Sequence, residues 1–191
     1  MAYDLKSVFY LDTSATITKD TAGGGSAQLD LSAYIDPIAR GRTKGTGLAV
    51  YKTHFSIVNS EDANEIAPKA DDTGVMAFCL SAGAGLGDNA TGGISTSAAS
   101  SLYDAGNQLM VSGGNFYAPG AAATATMVPE MYVEPSEKVP YVIVRDNVCL
   151  VYNVSNANKM TSTSVISVRL ECAQIALDQA TLNQLLRTQT V

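Results

Sequence analysis

Val139-Pro-Tyr-Val-Ile-Val-Arg-Asp-Asn-Val-Cys-Leu-Val-Tyr-Asn-Val154 decides the fold class. Two runs rich in β-branched and aromatic residues flank Asp146-Asn147, and such side chains fit a pleated, half-buried surface. Asn and Asp tolerate positive φ, so the dipeptide predicts a two-residue hairpin turn. Pro140 sits at the start of its run, where a missing N–H does least harm to a strand.

The same period of two recurs in both directions along the chain. In Gln28–Ile35, Leu29, Leu31, Ala33 and Ile35 fall on one side, with Gln28, Asp30 and Ser32 on the other. That is the pattern of a half-buried antiparallel strand. Gly47 to Val58 predicts another strand, with Ala49, Tyr51, Thr53, Phe55 and Ile57 inward and Lys52, His54 and Ser56 outward. Val75 to Leu80 is apolar on both faces, which suits a central strand. Further strands are expected at Leu5–Leu11, Ala15–Lys19, Gln108–Ser112 and Thr126–Val133.

Toward the C-terminus, Ile166, Val168, Leu170 and Cys172 alternate with Ser167, Arg169 and Glu171. Ile175 and Leu177 then fall out of phase, so a bulge is expected near Ala173-Gln174. From Asp178 the period becomes helical. Leu182, Leu185 and Leu186 form a short apolar stripe, and Thr181 with Gln184 reads as a capping box. The sum is an all-β chain: an antiparallel β-sandwich of about eight to nine strands with a short C-terminal helix. Its expected core includes Leu29, Leu31, Tyr51, Phe55, Phe78, Ile143, Leu150, Val168 and Leu170.

The 191 residues suit one domain, expected here to span 1–191. Only 16% of them are charged, against roughly 25% in an average protein. Ala, Gly, Ser and Thr make up the difference, and a surface of that kind is better suited to being covered by neighbours. The low charge is concentrated in an excursion at about 81–128, where the only charges between Ser81 and Val128 are Asp88 and Asp104. Residues 70–137 hold seven acids and no Lys or Arg. A segment of that length is more than a simple loop, and its composition predicts contact with other subunits. The apolar stripe Leu182, Leu185 and Leu186, in an arm at about 178–191, is the second expected inter-subunit contact.

The residues offer little for catalysis. His54 is the only histidine, and the alternation puts it on a polar strand face. No GxSxG or HExxH motif is present. Gly83-Ala-Gly85-Leu-Gly87 lacks the lysine of a phosphate-binding loop. Asp71, Asp72 and Asp88 could offer oxygen ligands to Ca²⁺ but lack the spacing of a calcium loop. Asn89-Ala-Thr91 and Asn153-Val-Ser155 match the glycosylation acceptor. No signal-peptide pattern precedes them, so no glycans are expected. Cys79, Cys149 and Cys172 are odd in number and without metal spacing, which predicts buried free thiols and synthesis in a reducing cytoplasm. No cofactor is expected, and the chain is not read as an enzyme. The net charge of -6, with Arg40-Gly-Arg42-Thr-Lys44 as the one basic cluster, argues against direct packing on nucleic acid. No apolar run is long enough to span a membrane.

The run Leu29–Ile35, the turn Asp36 to Gly47, the long strand Leu48–Val58, the hairpin Tyr141–Tyr152 and the final strand Val165–Leu177 resemble, in order, the single jelly-roll major capsid proteins of small icosahedral viruses. The resemblance implies two four-stranded sheets of jelly-roll type. It implies self-assembly into a virion shell through pentamers and hexamers, alone or with other virion proteins, and it brings no catalytic residues. Genome-packaging members often carry a basic arm, which this chain lacks. An exposed ligand- or carbohydrate-binding β-sandwich module is the alternative. It calls for an exposed aromatic row, and a cupin-like enzyme calls for a histidine cluster.

Overall fold

The structure, a computed structural model, describes residues 7–36, 44–61, 69–70, 74–83, 106–118, 125–126, 128–154 and 160–189. Its elements run β1 (Phe9–Ile17), β2 (Gly23–Asp30), β3 (Lys44–Asn59), β4 (Lys69–Ala70), β5 (Gly74–Ala82), β6 (Met110–Ala118), β7 (Ala125–Thr126), β8 (Val128–Val133), β9 (Tyr141–Ile143), β10 (Asn147–Val154), β11 (Ser164–Asp178) and the helix α1 (Gln179–Thr188). One sheet has the order β1-β11-β3-β9 and the other β2-β10-β5-β6-β8, while β4 and β7 pair as a small ribbon.

The pairing is nested. β1 pairs with β11, β2 with β10, β3 with β9 and β5 with β6, always antiparallel. This is one long hairpin folded over and wound around a barrel, so that β11 also meets β3 and β10 also meets β5. The winding is that of a jelly roll. One expectation changes in detail, because β8 adds a fifth strand beyond β6 in the second sheet.

Period-two burial explains the core. Leu48, Val50, Ile166, Val168 and Leu170 from the first sheet meet Met76, Phe78, Leu80 and Leu150 from the second. Phe78 lies between Phe55 and Phe116, with ring centroids 4.5 and 4.7 Å away. Tilted pairs of this kind add to what their buried area alone contributes. Thr53 Oγ1 donates across the core to Ser112 Oγ at 2.7 Å, and Ser112 Oγ donates to the Val133 carbonyl at 3.0 Å. The first of these bonds joins the two sheets, and the second ties β6 to β8 within one of them.

Local readings shift in several places. β9 and β10 are not a hairpin, since they belong to different sheets. Residues 144–146 cross from one layer to the other, held by Leu31 N donating to the Asp146 carbonyl at 2.6 Å. The edge of β3 has taken β9, while β10 is enclosed between β2 and β5. The two expected strands at 5–19 are one, because Asp12 and Ser14 continue the alternation on the outer face; residues 5 and 6 lie outside the described residues. β2 begins at Gly23 and stops at Asp30, where the Asp30 carboxylate accepts from Ser32 N at 2.8 Å. Leu31 and Ile35 still reach the core from the turn that follows.

The irregularity expected near Ala173-Gln174 lies on the partner strand. Glu171 faces Lys52 and Cys172 faces Val50, which leaves Tyr51 as the extra residue. Upstream of it the phase of β3 flips. Leu48 and Val50 point into the sandwich, while Ala49 and Tyr51 join Ala173 on the outside. β11 keeps its phase throughout, so Ile175 and Leu177 stay on its outer face and are covered there by Val144 and α1. Of the stretch at 81–128, Met110–Ala118 is a strand inside the second sheet, with Val111 and Phe116 in the core; residues 84–105 lie outside the described residues.

Candidate functional site

The outer face of β1, β11 and β3 carries a ladder of polar side chains, fixed by strand register. Tyr10 sits beside Glu171 and Lys52 in one row. Asp12, Arg169 and His54 form the next row, and Ser14, Ser167 and Ser56 the third. Between these rows runs a groove of about 560 Å³. His54 Nε2 lies 2.8 Å from Glu171 Oε1, and since a carboxylate only accepts, Nε2 carries the proton. The hydroxyls of Ser56 and Ser167 lie 2.7 Å apart. The Arg169 guanidinium is 5.9 Å from the centre of the Tyr10 ring, a cation–π stack. Among the described residues it makes no ion pair. His54 is thus an exposed strand histidine, as its alternation predicts, and its carboxylate partner comes from the neighbouring strand. That partner was out of sight in the sequence because it lies 117 positions away.

A second surface lies on the opposite sheet. Tyr117 pairs across strands with Val128, and Asn115 with Glu130. The Tyr132 hydroxyl accepts a hydrogen bond from Asn115 Nδ2. Burial first, and then the nearby Glu130 charge, raises the Tyr132 hydroxyl above its ordinary range. Tyr117, Val128 and Tyr132 remain exposed at this corner of the sandwich.

The expected contact residues on the tail fall differently. Leu182 is fully buried on its own chain, against Val144 and Leu177, with Leu185 and Leu186 partly buried beside it. The N-cap is Asp178, whose carboxylate accepts from Thr181 N at 2.8 Å; the expected Thr181–Gln184 capping box starts three residues too late. That bond holds the Asp178 carboxyl below its ordinary range. At the other end Gln189 behaves like a short strand. Its Nε2 donates to the Val142 carbonyl at 2.6 Å, and its Oε1 accepts from Val144 N at 3.1 Å. Helix and edge strand are stitched together.

Cys79, Cys149 and Cys172 are free and buried. Burial pushes the Cys172 thiol up to about 12, and the other two thiols also rise, chiefly for the same reason. Asp71, Asp72 and Asp88 lie outside the described residues, as do Gly85, Gly87, Arg40 and Arg42. Among the described residues no group of three or more metal-binding side chains comes together. No helix of the described residues is long and apolar enough to cross a membrane.

With this geometry in hand, the class is that of jelly-roll β-sandwiches. No protein-family model matches the chain, and no curated protein does. Among solved structures it is similar to the VP1 protein of human polyomavirus 12 in complex with 3'-sialyllactosamine. The identity is 8%, over 90% of this chain and 100% of that one, with a TM-score of 0.44. It is similar to VP1 of trichodysplasia spinulosa-associated polyomavirus in complex with GM1 oligosaccharide, at 8% identity, 91% and 95% coverage and a TM-score of 0.39. The VP1 pentamer of human polyomavirus 7 matches at 10% identity, 90% and 96% coverage and a TM-score of 0.38.

Proposed function

We propose that this chain is a structural subunit that assembles with copies of itself into a viral capsid shell. The observation that carries the reading is the nested winding: eight strands paired from the outside in, on a chain whose low charge leaves its surface poorly solvated. A fold alone does not assign a role. Here the composition supports the structural one, because a single histidine cannot build a cupin-type metal site. Three buried free cysteines fit synthesis in a reducing host cytoplasm before assembly into the virion. The tail contributes to contacts through the exposed sides of Leu185 and Leu186, Leu182 being committed to its own protomer.

The test is direct. The purified chain, concentrated at neutral pH and moderate salt, is followed by sedimentation velocity and negative-stain microscopy. Uniform rings or closed particles are expected. A monomer at every concentration overturns the reading.

The groove on the four-stranded sheet favours a second reading, as a ligand- or carbohydrate-binding module. Its volume falls within the range of small-molecule sites. A sugar would need an open aromatic face, however, and Arg169 stacks over the Tyr10 ring. Glycan-array binding by the monomer would promote this second reading over the first.

A further inference from the structure

We infer that the outer face of β10, β5 and β6 holds a site for one monovalent copper ion, with Cys79, Cys149 and Met110 as its sulfur ligands. The inference stands apart from the assembly reading, since it needs only one copy of the chain. Strand register builds the site. Cys149 on β10, Ser81 on β5 and Met110 on β6 stand opposite one another in one row, and Cys79 and Gly113 stand opposite each other in the next. Phe78, Leu80 and Leu150, which alternate with them, fill the sandwich core. Cys79, Cys149 and Met110 pack instead with Ala77 and Val151 in a separate buried cluster on the other side of the sheet. Gly113 lets the sulfur-bearing side chains close up: a Cβ there would lie 3.1 Å from both the Cys79 Cβ and the Met110 Sδ. After burial, the Cys149 charge helps to hold the Cys79 thiol up, so the two thiols are within electrostatic reach of each other.

Ser81 supplies an independent sign. It is 1% exposed, and its Oγ has no hydrogen-bond partner among the described residues. Buried hydroxyls are normally paired, and an orphan calls for an explanation. A thiol sulfur is a weak acceptor, whereas a metal-bound thiolate carries charge and accepts well. Metal binding therefore gives the Ser81 hydroxyl a partner in the opposed Cys149. The donor set selects the ion. Thiolate and thioether are soft ligands that suit monovalent copper. Zinc takes four nitrogen, sulfur or carboxylate ligands, and no third His, Cys, Asp or Glu joins the two cysteines among the described residues. The thioether of Met110 stands in that place. Charge agrees with the choice. Cu⁺ enters as one thiol proton leaves, so the buried site keeps its net charge.

Copper loading tests this in the full chain. The metal-free chain is refolded without oxygen, with Cu(I) supplied as its acetonitrile complex, and then washed with a Cu(I) chelator. One copper per chain should remain, with an ultraviolet thiolate-to-copper band and a raised melting temperature. Cys79→Ala and Cys149→Ala should each weaken binding by at least about 10–100-fold, the loss that removal of even an outer-shell partner brings. Met110→Leu keeps the volume and the packing and should still weaken binding by about tenfold or more, so it decides the matter if a cysteine variant misfolds. Cys172→Ala should bind as wild type does, because Cys172 lies in the sandwich core. A refolded wild-type chain that carries no copper through the wash overturns the inference. So does copper held equally well by Cys79→Ala, Cys149→Ala and Met110→Leu, or lost in Cys172→Ala. Retention of zinc in preference to copper overturns the choice of ion.

Discussion

Gly45 and Leu182 offer a direct measure of how the C-terminal helix is held. A Cβ placed on Gly45 would sit 2.8 Å from Leu182 Cδ2 and 3.1 Å from the Asp36 carbonyl oxygen. Leu182 itself is fully buried. Truncating Leu182 to Ala removes about 2 kcal/mol of transfer free energy, and the cavity left behind adds about 1–2 kcal/mol. Gly45→Ala acts in the opposite sense. It overpacks the same spot and should cost about 1–3 kcal/mol, offset in part because glycine in a strand is itself unfavourable by about 0.5–1 kcal/mol. In the double variant the new methyl enters the space that Leu182 has vacated. The two changes should therefore not add, and the double should be more stable than their sum by about 1–2 kcal/mol. With no tryptophan in the chain, urea unfolding followed by far-UV circular dichroism is the suitable assay. If the cycle closes to within about 0.5 kcal/mol and Leu182→Ala alone costs little, the helix is not packed on Gly45. The tail would then act as a free arm.

Three further outcomes follow from the same structure. Gly114→Ala should loosen the β6–β8 ladder, because its Cβ would land on the Glu130 carbonyl and against the Met131 Cα. A loss of about 1–3 kcal/mol is expected, with reduced amide-exchange protection in β8, and an unchanged melt would contradict the packing. Thiol titration should find Cys79, Cys149 and Cys172 unreactive in the native chain and all three free after denaturation; a shortfall restored by reductant would reveal a disulfide. The N-cap gives a pH window. The Asp178 carboxyl is lowered in the folded state, chiefly by the bond from the Thr181 amide, so its stabilisation is complete above the ordinary carboxylate value of about 3.9. It is lost as pH falls from there through the lowered folded value. Asp178→Asn should remove that acid-side dependence from the helix signal, and an identical acid profile for both chains would show that the cap is not Asp178.

How much of this was legible in the sequence depends on the range over which each feature is decided. Burial on a strand is decided locally, by which side chains alternate, and so Leu31, Phe78, Ile143, Leu150, Val168 and Leu170 are buried as the alternation predicts. β5 is central because both of its faces are covered, and the unbroken apolar run Val75 to Leu80 says as much. Partnership is not decided locally. Asp146-Asn147 is good hairpin chemistry, yet the strands on either side find partners in different layers, β9 on β3 and β10 on β5. The glycines at 23–25 hide the start of β2, since residues without side chains show no period.

The phase slip near Cys172 is the instructive case. Ile175 and Leu177 look misplaced if only one face of a sheet can be buried, and a bulge in their own strand would mend that. What the sequence also holds is the stripe Leu182, Leu185 and Leu186 just downstream. A helix beginning at Gln179 folds back over the outer face of β11, so at that end of the strand it is the outer face, with Ile175 and Leu177, that is covered, while Gln174 and Ala176 on the other face are exposed. No bulge in β11 is needed, and the extra residue appears instead in β3 at Tyr51, where it turns Ala49 and Tyr51 outward to meet Ala173. The slip and the stripe were two halves of one packing, and each makes sense only when the other supplies its partner. The groove of Arg169, His54 and Glu171 was divided in the same way: each strand shows half of a ladder, and only the register between β1, β11 and β3 brings the halves together.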